Sequence, residues 1–350
     1  MQNTQYQLTS MGKSAHYEFV QGQIGMPSEH EIIIEVAYCG LNRLDLWMEA
    51  GDLPFEMDLP RIPGGEVSGI IKLVGSGVEQ FQIGDHVVVQ SNFTCGECEY
   101  CRRGEESICL KSQLLGVQSD GGLAQFLNVP ESSVLKIPDG VELDEAASVV
   151  LAGSTAMHML TSRVSVSKGD WVLVLGGNSG VGSYAIQIAK AQGARVIATA
   201  SDERKSEISK KLGADFVVNH SENGWAKEVR KITAKRGVDF IVEHMGGEIL
   251  EKCFLCLARG GSIVTCGATT GKNVSINIWP FFVKQQQLIG SYGRNRVDLI
   301  KILDWLALGK INPVIDERVP FSEVSAAFEK FRNRKVSGKI LVEVKNSFSC

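Results

Sequence analysis

A two-domain α/β chain, with a doubly wound parallel sheet in one domain and mostly β-structure in the other, is predicted by three features of the 350 residues. A glycine-rich turn sits between an apolar strand and a helix. Strands and helices alternate from about residue 153 to 293, and residues 1 to 150 read instead as short β-branched runs broken by turns.

The turn lies in Trp171-Val-Leu-Val-Leu175-Gly-Gly-Asn-Ser-Gly-Val-Gly182. Residues 171 to 175 have the length and apolarity of a strand buried on both faces. From 180 to 192 the period becomes helical through Val181, Tyr184, Ala185, Ile188 and Ala189, and Gly193 supplies a stop. Glycines between the two elements let backbone N–H groups approach a pyrophosphate at the positive end of the helix. The G-x-G-x-x-G fingerprint carries Ser179 at its middle position, which weakens it as a motif. A strand at 194 to 200 follows at once, completes a βαβ unit and restores the case for a dinucleotide.

The same alternation predicts strands at 215 to 219, 238 to 243, 262 to 267 and 287 to 292, with helices from Trp225 to Ala234 and from Glu248 to Leu257. In the first part, 31 to 37, 66 to 74 and 86 to 90 read as strands. After residue 294 come a helix (297 to 308), a strand (313 to 319), a helix (321 to 332) and a last strand (339 to 344), a tail expected to rejoin the first domain. The expected domains are therefore 1–152 with 294–350, and 153–293.

A composition of 44% hydrophobic and 22% charged residues is that of a globular enzyme, not of a disordered or fibrous chain. The net charge of −4 leaves no basic surplus for nucleic acid or an anionic membrane. No apolar run reaches the ~18 residues that span a bilayer, and the polar start lacks a signal peptide's regions, so a cytoplasmic location is expected.

Nine cysteines in a reducing compartment are not read as a disulfide framework. Cys95, Cys98, Cys101 and Cys109, spaced C-x2-C-x2-C-x7-C, can close tetrahedrally on one Zn²⁺ with no open position, which makes the lobe 91–112 a structural zinc site. Free thiols, labile disulfides and an Fe–S cluster are the alternatives. Cys253 and Cys256, three apart on an apolar helix, are expected to be packing, and Cys39, Cys266 and Cys350 are assigned no chemistry.

Together with Gly84-Asp85-His-Val-Val, Asp120-Gly-Gly-Leu-Ala124, Lys211-Leu-Gly-Ala-Asp215 and Gly338-Lys-Ile-Leu-Val, these features resemble the medium-chain dehydrogenase/reductase superfamily, its alcohol dehydrogenase and quinone oxidoreductase group, over nearly the whole chain. The resemblance implies a GroES-like β-rich catalytic domain, completed by the carboxyl-terminal tail, and a Rossmann domain. Zinc-dependent members hold a second, catalytic zinc through Cys, His and Cys. At the matching positions this chain has Asn42, Gly65 (in Gly64-Gly65-Glu66) and Leu151. Asn42 and Glu66 beside Gly65 and Leu151 would bind Zn²⁺ poorly, so no catalytic zinc is expected.

Without a Lewis acid, forming the alkoxide that alcohol oxidation requires needs a well-placed base, whereas an enone or quinone needs only a hydride donor and somewhere for charge to settle. The expected function is reduction of quinones or α,β-unsaturated carbonyls. The segment Leu41-Asn42-Arg-Leu-Asp45-Leu-Trp47-Met48 also looks more like the quinone oxidoreductase branch. Asn42 and Asp45 are the catalytic candidates, Asp45 being the nearest titratable group though better suited to holding backbone. Trp47, Met48, Glu66, Leu151, Trp279 and Tyr292 are the candidates for the substrate pocket, with core packing as the alternative for the aromatics.

The second strand runs out as Thr199-Ala200-Ser201-Asp202-Glu203-Arg204-Lys205. Ala200 occupies the place of an NAD-selecting acid, and Ser201 with Lys205 matches a Ser-x-x-x-Lys arrangement for a 2′-phosphate, so NADPH is expected. Asp202 keeps NADH open, its alternative role being to start a helix. The cofactor candidates are Asn42, Thr155, Gly177, Ser179, Gly180, Val181, Gly182, Ser201, Lys205, Asn219, His244, Gly267 and Lys339. Two alternatives stand beside the reductase: an alcohol or aldehyde dehydrogenase, and a non-enzymatic NADPH-binding redox sensor. The partner is expected to be a small molecule, with no nucleic acid or membrane, and the strand at 287 to 292 is expected to pair across a two-fold axis in a homodimer or homotetramer.

Overall fold

The computed structural model describes residues 1–345, and Cys350 lies outside the described residues. The chain forms two compact units, one of Met1–Leu151, Asn295–Ala307 and the chain from Pro313 onward, the other of Ala152–Arg294 and Leu308–Asn312.

The first unit is organised on the strand Glu31–Gly40, whose run of three isoleucines and following apolar residues is almost entirely buried. It pairs antiparallel with Val67–Val74, Phe126–Pro130 and the last strand, Lys339–Glu343. Ile315–Pro320 flanks that last strand, and His86–Val89 followed by Val134–Lys136 extends the other side of the sheet. Alternation decides which face is core: Val67, Ile71, Val87 and Val89 point into one cluster with Ile32, Ile34, Val36, Ile340 and Val342. The tail closes this cluster with Phe321 and Phe328, so residues far apart in sequence share one core.

A hairpin of Gln2–Ser10 and His16–Gln23 packs there too, with Tyr6 and Tyr17 stacked at 5.1 Å and Phe328 5.1 Å from Tyr17. Its polar, Gln-rich sequence hides it from hydropathy patterning. The helix Arg43–Ala50 is equally concealed. It begins where Glu31–Gly40 ends, with Asn42 and Asp45 forming a capping box, and stops at Gly51 with φ 72°.

The second unit is a six-stranded parallel sheet in the order Phe216–Asn219, Arg195–Ala200, Trp171–Val174, Val238–Glu243, Leu257–Thr265, Gln287–Gly290. Trp171–Val174 has the second strand on one side and the fourth on the other, so the order reverses there, and the carboxyl ends of these strands are the place for a ligand. Several boundaries differ from expectation, three of them in instructive ways. The helix from Trp225 ends at Ile232, before Ala234 and Lys235 turn left-handed at φ 49° and 67°. The strand expected at 262 to 267 runs Leu257–Thr265. The helix expected from 321 is a 3₁₀ turn, Phe321–Glu323, followed by Val324–Arg332.

Phe328→Ala removes a fully buried ring from the shared core of the first unit. Unfolding in urea, followed by a signal from the first unit, is expected to show a loss of about 3–5 kcal/mol.

Candidate functional site

At the junction of Glu31–Gly40, its following helix and Val67–Val74 lies a buried charge cluster. Lys339 Nζ stands 2.6 Å from Glu66 Oε2, the two side chains 2% and 0% exposed. The same ammonium donates to Asn42 Oδ1 at 2.7 Å and to the Leu41 carbonyl at 2.8 Å, which uses all three of its protons. Asn42 Nδ2 donates to Glu66 Oε2 at 3.0 Å and to the Gly40 carbonyl at 3.2 Å. The Leu151 backbone N–H donates to Glu66 Oε1 at 2.8 Å. Burying a charge pair is costly, and this one is tolerated because its atoms are hydrogen-bonded.

Glycine makes the cluster possible. A Cβ on Gly40 would stand 2.3 Å from Glu66 Oε2, and one on Gly65 would stand 2.8 Å from the Leu115 carbonyl oxygen and 3.9 Å from Leu151 Cδ1. A side chain at position 65 would therefore have to displace backbone.

Asp45 is buried and accepts from the Asn42 N–H at 2.7 Å, with a further backbone bond from Gly64. Burial pushes its carboxyl up from 3.8 to about 6, against the lowering effect of those N–H groups and of Lys339. Its position is that of a helix cap holding backbone.

The structure corrects two expectations here. Lys339 has no proton left for a nucleotide, because Glu66, Asn42 and Leu41 take them. Met48 is fully buried with Leu8, Leu114 and Val117 and belongs to a core cluster instead of a pocket wall. Trp47 is half-buried on the same helix. In the second unit Trp279 and Tyr292 are 72% and 52% exposed, Trp279 on the short helix Ile278–Val283 and Tyr292 beyond the edge strand.

The glycine turn is held from several sides. Ser179 caps the helix Gly180–Ala191, its Oγ accepting from the Gly182 N–H at 3.0 Å and lying 3.2 Å from His244 Nε2. His244 Nε2 also lies 2.9 Å from the Leu175 carbonyl. Gly177 is packed so closely that a Cβ would meet Ser209 Oγ at 2.6 Å, and one on Gly182 would meet the Gly176 carbonyl at 2.2 Å. Close packing of glycines at the start of a twelve-residue helix fits a pyrophosphate. Val181 is half-buried in the first turn, Thr155 is buried in the helix Ala152–Met157, and Gly267 packs on the His244 backbone. Asn219 ends its strand with its side chain turned to Ser221 and Glu222.

The second strand ends at Ala200, and Asp202 caps the helix Glu203–Lys211 by accepting from the Lys205 N–H at 3.0 Å. Lys205 Nζ donates to Ser201 Oγ at 2.7 Å and lies 3.0 Å from Asp202 Oδ2. Three supporting residues escaped the sequence reading. Thr199 accepts from the Gly176 N–H at 3.0 Å and lies 3.0 Å from His220 Nδ1. Glu243, fully buried at the end of its strand, accepts from the Met245 and Gly246 N–H groups at 2.6 Å. The signal available for Glu243 was an acid ending an otherwise apolar strand.

In the first unit the four lobe cysteines bring their Sγ atoms within 4.8 Å of one another. Tetrahedral Zn–S bonds put sulfurs about 3.8 Å apart, so the set fits one Zn²⁺. Backbone N–H groups point at the sulfurs, Cys95 N–H to Cys109 Sγ and Cys98 N–H to Cys95 Sγ at 3.4 Å each. Those of Cys101 and Leu110 hold Cys98 down at about 6. Such bonds favour thiolates, the form that binds metal.

Known proteins match this geometry. The family described as zinc-binding dehydrogenase matches residues 180–307, and the alcohol dehydrogenase GroES-like domain matches residues 28–139. An alcohol dehydrogenase from Geobacillus stearothermophilus is 32% identical over 319 residues, 91% of this chain and 92% of that protein. The crystal structure of an NAD-dependent alcohol dehydrogenase superposes with a TM-score of 0.93 at 34% identity, covering 97% of this chain and 99% of that one. A cobalt- and zinc-bound thermostable alcohol dehydrogenase from Pyrobaculum aerophilum gives 0.88 at 29% identity, with 98% and 100% covered.

Two outcomes follow from the buried charges. Glu66→Ala strands the Lys339 ammonium and is expected to cost about 3–5 kcal/mol in denaturant unfolding, and Glu66→Leu with Lys339→Met is expected to recover most of it. For Asp45, a folded value of about 6 against the ordinary 3.8 means the folded state holds the extra proton between those pH values, so stability falls as pH rises through that window. Relative to the parent, Asp45→Asn should gain about 3 kcal/mol between pH 4 and pH 6.5, read from urea midpoints at each pH.

Proposed function

Because this chain belongs to the zinc-containing, alcohol dehydrogenase-like medium-chain dehydrogenases/reductases and is thus an NAD(P)-dependent oxidoreductase, we propose that it uses NADPH to reduce quinones or α,β-unsaturated carbonyl compounds, with no catalytic metal. The observation that supports this reading is the set Asn42, Gly65 and Leu151 at the positions that match the family's metal ligands: Asn42 is hydrogen-bonded to the buried Glu66–Lys339 pair, and a Cβ on Gly65 would meet the Leu115 carbonyl oxygen at 2.8 Å.

NADPH supplies the hydride when bound. The chain's own part is to hold it: the amides at the start of Gly180–Ala191, with Ser179, receive the pyrophosphate, and Ser201 and Lys205 receive the 2′-phosphate. Ala200 stands at the strand end where an acid would claim the ribose hydroxyls, and Asp202 beyond it caps the next helix through Oδ1. Asp45 is locked to backbone, so the proton that completes the reduction comes from solvent.

An alcohol or aldehyde dehydrogenase is the second reading. It is favoured by the names of the relatives and by Asp202, whose carboxylate already lies against both Ser201 and Lys205 and would oppose a phosphate there. We also read the exposed edge strand Gln287–Gly290, beside the exposed Ile278, Trp279, Phe282 and Val283, as the face on which two copies meet. No helix among the described residues is long and apolar enough to cross a membrane.

The test is a panel of enones, quinones, aldehydes and alcohols with NADPH and NADH, run beside zinc quantification. One zinc per chain and highest kcat/KM for enones or quinones with NADPH are expected; two tightly held zincs, or alcohol oxidation with NAD as the best reaction, would replace the first reading with the second. Lys205→Glu should raise the KM for NADPH about tenfold or more while moving that for NADH little.

A further inference from the structure

We propose that the four-cysteine lobe anchors the segment at which the chain returns to the first unit, so that metal occupancy governs the order of Asn295–Asp298 as well as that of the lobe itself. The second unit's main segment ends at Arg294, and Asn295 begins the helix-bearing segment Asn295–Ala307 of the first. Two of the contacts of those first residues come from the lobe. Ser107 N–H donates to Asn295 Oδ1 at 3.0 Å in a buried contact, and the Arg296 N–H points at Glu106 Oε2 at 3.4 Å. The Arg296 guanidinium then ties the segment to the Ser132 and Val134 carbonyls, at 2.7 and 2.8 Å. Asn295 N–H in turn donates to Asp298 Oδ2 at 2.9 Å, which caps the helix Arg296–Ala307.

Glu106 and Ser107 belong to a single 3₁₀ turn, Glu106–Ile108, that leads directly into Cys109. Little apolar packing fixes this turn, since Ile108 and Leu110 beside Cys109 are 47% and 68% exposed. What fixes it is Cys109 itself, buried against Cys95 with their sulfurs 3.6 Å apart. A metal on the four sulfurs thus holds Cys109, Cys109 holds the 3₁₀ turn, and the turn holds Asn295. Take the metal away and four thiols without an apolar core have little to keep them together.

The inference rests on the lobe holding zinc, and metal content on the purified chain tests that premise separately. Hydrogen exchange of the full-length protein, zinc-loaded and after chelation, tests the coupling. Exchange at residues 295–298 is expected to quicken about tenfold on chelation, while Glu31–Gly40 and Trp171–Val174 keep their protection. Zinc-loaded Asn295→Ala should show the same local quickening with the lobe still protected. Asn295→Asp, which keeps the oxygen acceptor, should restore it. In Asn295→Ala, removing zinc should add nothing further at 295–298. Unchanged exchange there on chelation, or Asn295→Asp behaving as Asn295→Ala does, overturns the proposal. If chelation unfolds the whole chain, the zinc-loaded Asn295→Ala decides: local quickening at 295–298 upholds the coupling, and none defeats it.

Discussion

The first unit depends on a charge pair that water cannot reach. Glu66 and Lys339 lie far apart in the chain, and burying either alone would consume much of the domain's margin of stability, about 3–5 kcal/mol of some 5–15. The fold satisfies the pair with groups that have other duties. Asn42 is also a helix cap, and Leu151 is the last residue of its unit's first segment. The last strand is held both by its ladder on Glu31–Gly40 and by an ion pair at its first residue. The groups around Asn42 are thereby tied to closure of the core.

Much of the second unit could be read from its residues, since a parallel sheet buried on both faces must be nearly continuous in Val and Ile, and turns between its elements need glycine. The strand 238 to 243 has the predicted bounds, and the helix after the turn differs by one residue. The first unit was legible only where strands are β-branched. Gln2–Ser10 and His16–Gln23 face water over much of their surface and carry no hydropathy signal.

The site was legible in residue identity and less so in arrangement. Absent metal ligands and a thiol knuckle are statements about side-chain chemistry, which sequence records directly. That Lys339 turns inward to Glu66, instead of outward to a nucleotide, is a statement about which buried acid lacks a partner, and nothing local to Gly338-Lys339-Ile340 encodes it. Asp202 shows the same limit. As a letter it could be a ribose acceptor or a helix start, and the structure shows the helix start, which a letter alone does not record.

Gly40 and Gly65 carry a consequence for how such a site changes over generations. A histidine placed at Gly65 drives its Cβ into the Leu115 carbonyl, a cysteine at Asn42 takes one donor and one acceptor from a buried ion pair and a second donor from the Gly40 carbonyl, and any side chain at Gly40 displaces Glu66. Each of these changes disturbs a group that the others also touch. Over generations these positions are expected to change together, since a substitution at one has to be accommodated by its neighbours in the same buried cluster.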